Sequence, residues 1–91
     1  MILKQKASAG TAEGSDVIVT IEPAEAGRTL EIESTVKSVF GDAIEKTVLE
    51  VLDGFGITSC KVSLSDQGAL DCTLRARVET AVLRACKEVT A

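Results

Sequence analysis

The pattern of apolar and polar positions changes period several times along the chain, and each change marks an expected element. Val17-Ile18-Val19-Thr20-Ile21 is β-branched throughout and stops at Glu22-Pro23, as a strand closed by a turn does. Thr29-Leu30-Glu31-Ile32-Glu33-Ser34 then alternates apolar with polar side chains, the mark of a strand with one buried face. With Ala24 to Arg28 as the connection, these two predict an antiparallel hairpin. From Ser34 to Gly56 the spacing turns helical, with Val36, Phe40, Ile44, Val48, Val51, Leu52 and Phe55 along one face and Gly54 and Gly56 as the stop. Gly41-Asp42 either starts the main helix, near Asp42 to Asp53, or kinks a longer one.

Alternation returns over Lys61 to Leu64, which predicts a third strand broken by Asp66-Gln67-Gly68. A second helix follows over Ala69 to Lys87. Its stripe of Leu70, Leu74, Val78, Ala81, Val82, Ala85 and Val89 suits a helix lying on a sheet, and Asp71 near its start and Arg84 and Lys87 near its end favour the helix dipole. The order β-β-α-β-α predicts an α+β fold, a small two-layer sandwich with both helices on one side of the sheet. Residues 1–14 hold no sustained period, so 1–15 are expected to be a flexible N-terminal arm and 16–91 a single domain.

Composition narrows the function classes. At 91 residues and 45% hydrophobic, the chain fits one domain burying roughly 60 to 65% of its unfolded surface. Phe40 and Phe55 are the only aromatics, so the core must be aliphatic. Ten Lys and Arg against fourteen Asp and Glu give a net charge of -4, which argues against nucleic acid as a partner. No apolar run reaches the roughly 18 to 20 residues needed to span a bilayer, and the N-terminal residues lack a signal-peptide core, so a cytoplasmic, soluble protein is expected. Cys60, Cys72 and Cys86 form no C-x-x-C pair, and without His no zinc pattern can be completed. Reduced thiols and no metal are the expectation.

The chain has no His, Tyr or Trp, so the side chain most used for proton transfer near neutral pH is missing. One segment nevertheless invites chemistry from outside. In Ala9-Gly10-Thr11-Ala12-Glu13-Gly14-Ser15-Asp16-Val17 a hydroxyl stands beside glycine and between acids, just ahead of the first strand. Gly14 leaves room for another protein to approach Ser15. The plainer reading is an ordinary turn serine, with Asp16 favouring the turn.

Three separated motifs carry a resemblance. The run Ala9-Gly10-Thr11 through Glu13, Ser15 and Asp16-Val17, then Phe40-Gly41-Asp42-Ala43-Ile44, then Gly68-Ala69-Leu70-Asp71-Cys72 with Leu74-Arg75-Ala76-Arg77-Val78-Glu79, closely resembles the acyl carrier (gamma) subunit of bacterial citrate lyase. The resemblance covers about Ala9 to Ala85. The carrier of malonate decarboxylase is a more distant relative that lacks the last run. The resemblance implies a non-catalytic subunit whose N-terminal serine carries 2'-(5''-phosphoribosyl)-3'-dephospho-CoA through a phosphodiester. The arm's thiol would hold acetyl and citryl thioesters as citrate is cleaved to acetate and oxaloacetate. The implied partners are the alpha (CoA-transferase) and beta (citryl lyase) subunits and the prosthetic-group transferase.

This chain departs from the family pattern at one place. The family commonly sets serine directly after the glutamate, and some members have it at both places, whereas here Gly14 follows Glu13 and Ser15 comes next. The resemblance therefore assigns attachment to Ser15 with a shift of one residue, with Ser8 and Thr11 next in line. The alternatives are a malonate decarboxylase-like acyl carrier and a small α/β interaction domain without a prosthetic group. Arg75 and Arg77 cannot share a helix face. Arg75 is placed to pair with Glu79 at i, i+4, and the cluster is open either to surface pairing or to docking on catalytic subunits or the arm.

Overall fold

The computed structural model describes residues 3–34 and 37–86, with the backbone alone for 37–40. Four strands and two helices follow in the order β1 (Ala7–Gly10), β2 (Val17–Pro23), β3 (Arg28–Ser34), α1 (Lys37–Gly54), β4 (Cys60–Asp66) and α2 (Asp71–Cys86). The expected two-layer α+β architecture holds, with one strand more than the periodicity reveals. The sheet order is β1-β2-β4-β3.

Two expectations need correction. The expected hairpin of β2 with β3 does not form, because β4 lies between them, antiparallel to β2 and parallel to β3. The physical reason lies in β4 itself, whose Cys60, Val62, Leu64 and Asp66 are all buried, while Leu30 and Ile32 of β3 are only half-buried. The strand with the fullest apolar face takes a central place. β3, with Thr29, Glu31 and Glu33 exposed, suits an edge that resists further pairing.

The expected N-terminal arm, in turn, contains β1. Ala, Ser and Gly have weak strand preference, so the strand exists through its register on β2, with Ala7 opposite Ile21 and Ala9 opposite Val19. The amides of Lys4 and Gln5 donate to the Ala85 carbonyl at 2.8 and 3.2 Å, and the Gln5 side chain donates to the Arg84 carbonyl at 3.0 Å. These bonds satisfy carbonyls that the end of α2 would otherwise leave open.

The helices bury the expected stripes where they are described. Ile44, Val48, Val51 and Leu52 of α1 and Leu74, Val78, Ala81, Val82 and Ala85 of α2 all lie in the core. Leu70 is the exception, standing 69% exposed just before α2 begins. Val36, the Phe40 side chain, Lys87 and Val89 lie outside the described residues. Helix α1 runs through Gly41-Asp42 and closes at Gly56, whose φ of 69° is open to glycine. There the Ile57 amide donates to the Leu52 carbonyl and the Gly56 amide to the Asp53 carbonyl, the paired bonds of a Schellman stop, with Ile57 and Leu52 both buried.

The strand directions bring one end of the molecule together. Val17 at the start of β2 pairs with Asp66 at the end of β4, which pairs with Ser34 at the end of β3. Hence the β1–β2 loop and the starts of both helices lie at the same end. The buried Asp66 carboxylate ties this end down, accepting from the Ser34 hydroxyl at 2.7 Å and the Gly68 and Ala69 amides at 3.2 and 3.0 Å.

Gly10 closes β1 at a φ of 107°, and a β-carbon built there would lie 1.7 Å from the Val17 carbonyl oxygen. Backbone cannot give way as a side-chain tip can. Gly10→Ala is therefore expected to destabilise the fold by at least about 2 kcal/mol in urea unfolding, even though it adds a single methyl group.

Candidate functional site

The loop of residues 11–16 between β1 and β2 is built around a single carboxylate. Asp16 Oδ2 accepts from the Thr11 hydroxyl at 2.6 Å and from Arg77 Nη2 at 2.9 Å, while Oδ1 accepts from Arg77 Nε at 3.1 Å and from the Val17 amide at 2.8 Å. The Arg77 fork thus meets the carboxylate edge-on, a geometry that lysine could not reproduce. The Asp16 side chain is 14% exposed. Its carboxyl is held well below the usual carboxylate range, first by Arg77, then by Thr11 and the Val17 amide.

Around this anchor the chain makes a tight turn. The Asp16 amide donates to the Glu13 carbonyl at 3.2 Å, which closes a four-residue turn of Glu13, Gly14, Ser15 and Asp16. Ser15 takes its third position with a φ of 64°, the one non-glycine residue of positive φ among the described residues. A turn of this kind favours Gly or Asn there. The strain is held in place from across the sheet, because the Ser15 amide donates to the Gln67 carbonyl and the Gln67 amide to the Asp16 carbonyl, each at 2.8 Å. Gly14, the residue that looked conformationally special in sequence, has open space around it and no positive φ.

The hydroxyls of this region differ in availability. Thr11 Oγ1 is committed twice, as donor to Asp16 and as acceptor from the Glu13 amide at 3.3 Å. Ser8 is exposed but sits within β1, paired opposite Thr20, and its carbonyl accepts from Arg84 Nη1 at 2.8 Å. Ser15 is exposed at the tip of the turn, and among the described residues its hydroxyl makes no hydrogen bond. The chain has no His, and the neighbouring Asp16 carboxylate is taken up by Thr11, Val17 and Arg77. Asp16 is therefore not free to act as a base on the Ser15 hydroxyl.

Arg75 and Arg77 do point different ways. The expected Arg75–Glu79 pair is replaced by bonds from Arg75 to Asp71 at 2.8 Å and to Glu50 of α1 at 2.6 Å. Asp71 also accepts from the buried Thr47 hydroxyl at 2.6 Å, and the group fastens α1 to the start of α2. The Asp71 carboxyl is lowered by Thr47 and Arg75, and the Arg75 guanidinium is raised by Asp71 and Glu50. The residues that sequence reasoning missed are the partners of Asp16. Arg77 lies 61 positions away, and no local spacing signals that contact. Cys60 is buried, which pushes its thiol up, Cys86 is half-buried and Cys72 is exposed, and all three are free thiols.

The comparisons with known proteins agree with this architecture. Residues 4–85 match the family model described as the malonate decarboxylase delta subunit, an acyl carrier protein. A citrate lyase acyl carrier protein of Klebsiella pneumoniae is 51% identical over 97% of this chain and 92% of its own length. One of Serratia proteamaculans is 49% identical over 94% of this chain and 85% of its own. The fold is similar to that of a chain in a Pseudomonas malonate decarboxylase hetero-tetramer solved in complex with malonate, with a TM-score of 0.77 at 20% identity over 90% of this chain and 84% of that one. The chain belongs to the acyl carrier proteins of the citrate lyase and malonate decarboxylase delta type. It is a carrier in kind, distinct in its sheet from an all-helical bundle.

Two outcomes follow from the loop. Ser15→Gly should raise stability by about 0.5–1 kcal/mol, seen as a Tm increase of about 2–8 °C, because glycine adopts a positive φ without strain. An unchanged or lower Tm would mean that the turn stores no strain at Ser15. For Asp16 the folded pKa lies below the unfolded one, so its stabilisation is present above the unfolded value of about 3.9 and is lost as pH falls further. The Tm gap between wild type and Asp16→Asn should therefore be constant from about pH 7 to pH 5 and narrow below about pH 4.

Proposed function

We propose that this protein is the acyl carrier subunit of a citrate lyase complex and that Ser15 is the attachment point of its prosthetic arm. The observation that carries the assignment is the exposed Ser15 hydroxyl on a strained turn, uncommitted among the described residues, beside a Thr11 hydroxyl already consumed by Asp16. The high identity to citrate lyase carriers supports the choice of complex over malonate decarboxylase.

In this reading the group attached is 2'-(5''-phosphoribosyl)-3'-dephospho-CoA. Ser15 Oγ forms the new P–O bond to the innermost phosphorus of a triphosphate-activated donor, its proton passes to a base of the prosthetic-group transferase, and pyrophosphate leaves. The transferase must supply base and charge stabilisation, since the turn itself supplies position alone. Once attached, the arm would offer a thiol that holds acyl groups as thioesters. The protein's part is to hold the attachment point rigid at one end while the arm reaches the alpha and beta subunits at high effective concentration. A cytoplasmic setting follows from these partners.

Protein purified from a host with the modifying enzymes should have an intact mass above the 9.5 kDa polypeptide by one arm. Ser15→Ala should stay folded, with stability within about 0.5 kcal/mol, yet acquire no arm and support no citrate cleavage in the reconstituted complex. Arm mass on the Ser15→Ala protein would move the attachment to Ser8 or Thr11 and overturn the assignment.

A further inference from the structure

We propose that Arg77 is the counter-cation of the phosphodiester carried on Ser15, positioned for that task by Asp16. The inference rests on the reading of Ser15 given above and adds a residue to it. Glu13 and Asp16 already set two carboxylates on a four-residue turn, and a phosphodiester on Ser15 would add a third anion to it. An uncompensated cluster of this kind resists the very modification the turn is shaped to receive.

The guanidinium groups of the described residues leave one candidate. Arg28 pairs with Asp53 at 2.7 Å, Arg75 is shared between Asp71 and Glu50, and Arg84 Nη1 donates to the Ser8 carbonyl at 2.8 Å. Arg77 alone among them pairs with a carboxylate of the Ser15 turn. It uses one Nε and one Nη2 hydrogen on Asp16, so among the described residues three of its five N–H donors have no protein partner, and its side chain is 38% exposed. Bound along one edge to the residue next to Ser15, the guanidinium is restrained before any phosphate arrives. Planar, weakly hydrated guanidinium suits phosphate oxygens, and restraint reduces the entropy lost on binding them. Asp16 therefore acts through Arg77 as a positioning residue.

The test uses the full chain made with phosphoserine at position 15, introduced during synthesis, and follows the second ionisation of its phosphate, ordinarily near pH 6, by phosphorus NMR. Arg77→Gln should raise that pKa by about half a pH unit or more, since a nearby cation favours the dianion. Arg77→Lys, which keeps the charge but loses the fork, should recover more than half of the difference. Arg75→Gln, two residues along and turned to Glu50 and Asp71, should leave it within about 0.1 pH unit. Should Arg77→Gln fail to fold, judged by circular dichroism, Arg77→Met takes its place. Equal phosphate pKa values in the Arg77 and Arg75 variants would overturn the proposal. Intact mass keeps the two readings apart: a wild-type chain that never acquires an arm refutes attachment at Ser15, whereas the phosphate titration decides the role of Arg77 separately.

Discussion

The pairing of β4 along both of its edges is the constraint on which the rest of this structure depends. Antiparallel to β2 and parallel to β3, β4 aligns Val17, Asp66 and Ser34 in one row. That row fixes the end of the molecule at which the β1–β2 loop and the starts of α1 and α2 meet. A parallel neighbour requires a crossover, which α1 provides, and the crossover in turn leaves room beside it for α2 over β1 and β2. Because Gln67 extends the ladder by one step beyond Asp66, the same pairing reaches the backbone of Ser15 and Asp16 and holds their turn shut.

At that end two carboxylates divide the work. Asp66 is buried and turns the chain from β4 into α2 by accepting from Gly68, Ala69 and Ser34. Asp16 is half-buried and joins the loop to α2 by accepting from Thr11, Val17 and Arg77. Neither is free to act as a base, and that suits the carrier role proposed for this protein. Under the proposed attachment at Ser15, a carrier gains from a site that neither wanders nor reacts unaided. The positive φ of Ser15 fits the same view, since a strained position persists where the surrounding bonds over-determine it, and such positions gather at functional sites.

The split between Arg75 and Arg77 shows how one helix serves two purposes. Arg75 turns inward along the surface to Glu50 and Asp71 and locks helix to helix, while Arg77 reaches over the sheet to the β1–β2 loop. Surface ion pairs contribute little to stability in isolation. Their value here lies in geometry, because each is coupled to a second bond, through Thr47 in one case and Thr11 in the other.

By itself the sequence determined the two-layer class, the spans of β2, β3, β4 and both helices to within a few residues, and the aliphatic stripes. Those features follow from local periods and from residue types, which are visible one segment at a time. Tertiary structure alone decided the rest. β1 is a strand of Ala, Ser and Gly that exists through the register β2 offers it, and the placement of β4 between β2 and β3 depends on how much apolar face each strand can bury, a comparison across the whole chain. The positive φ at Ser15 is imposed by Gln67 from the neighbouring strand, and the partner of Asp16 lies 61 residues away on α2. Contacts of such separation leave no local period, because the energy that selects them comes from closing the fold.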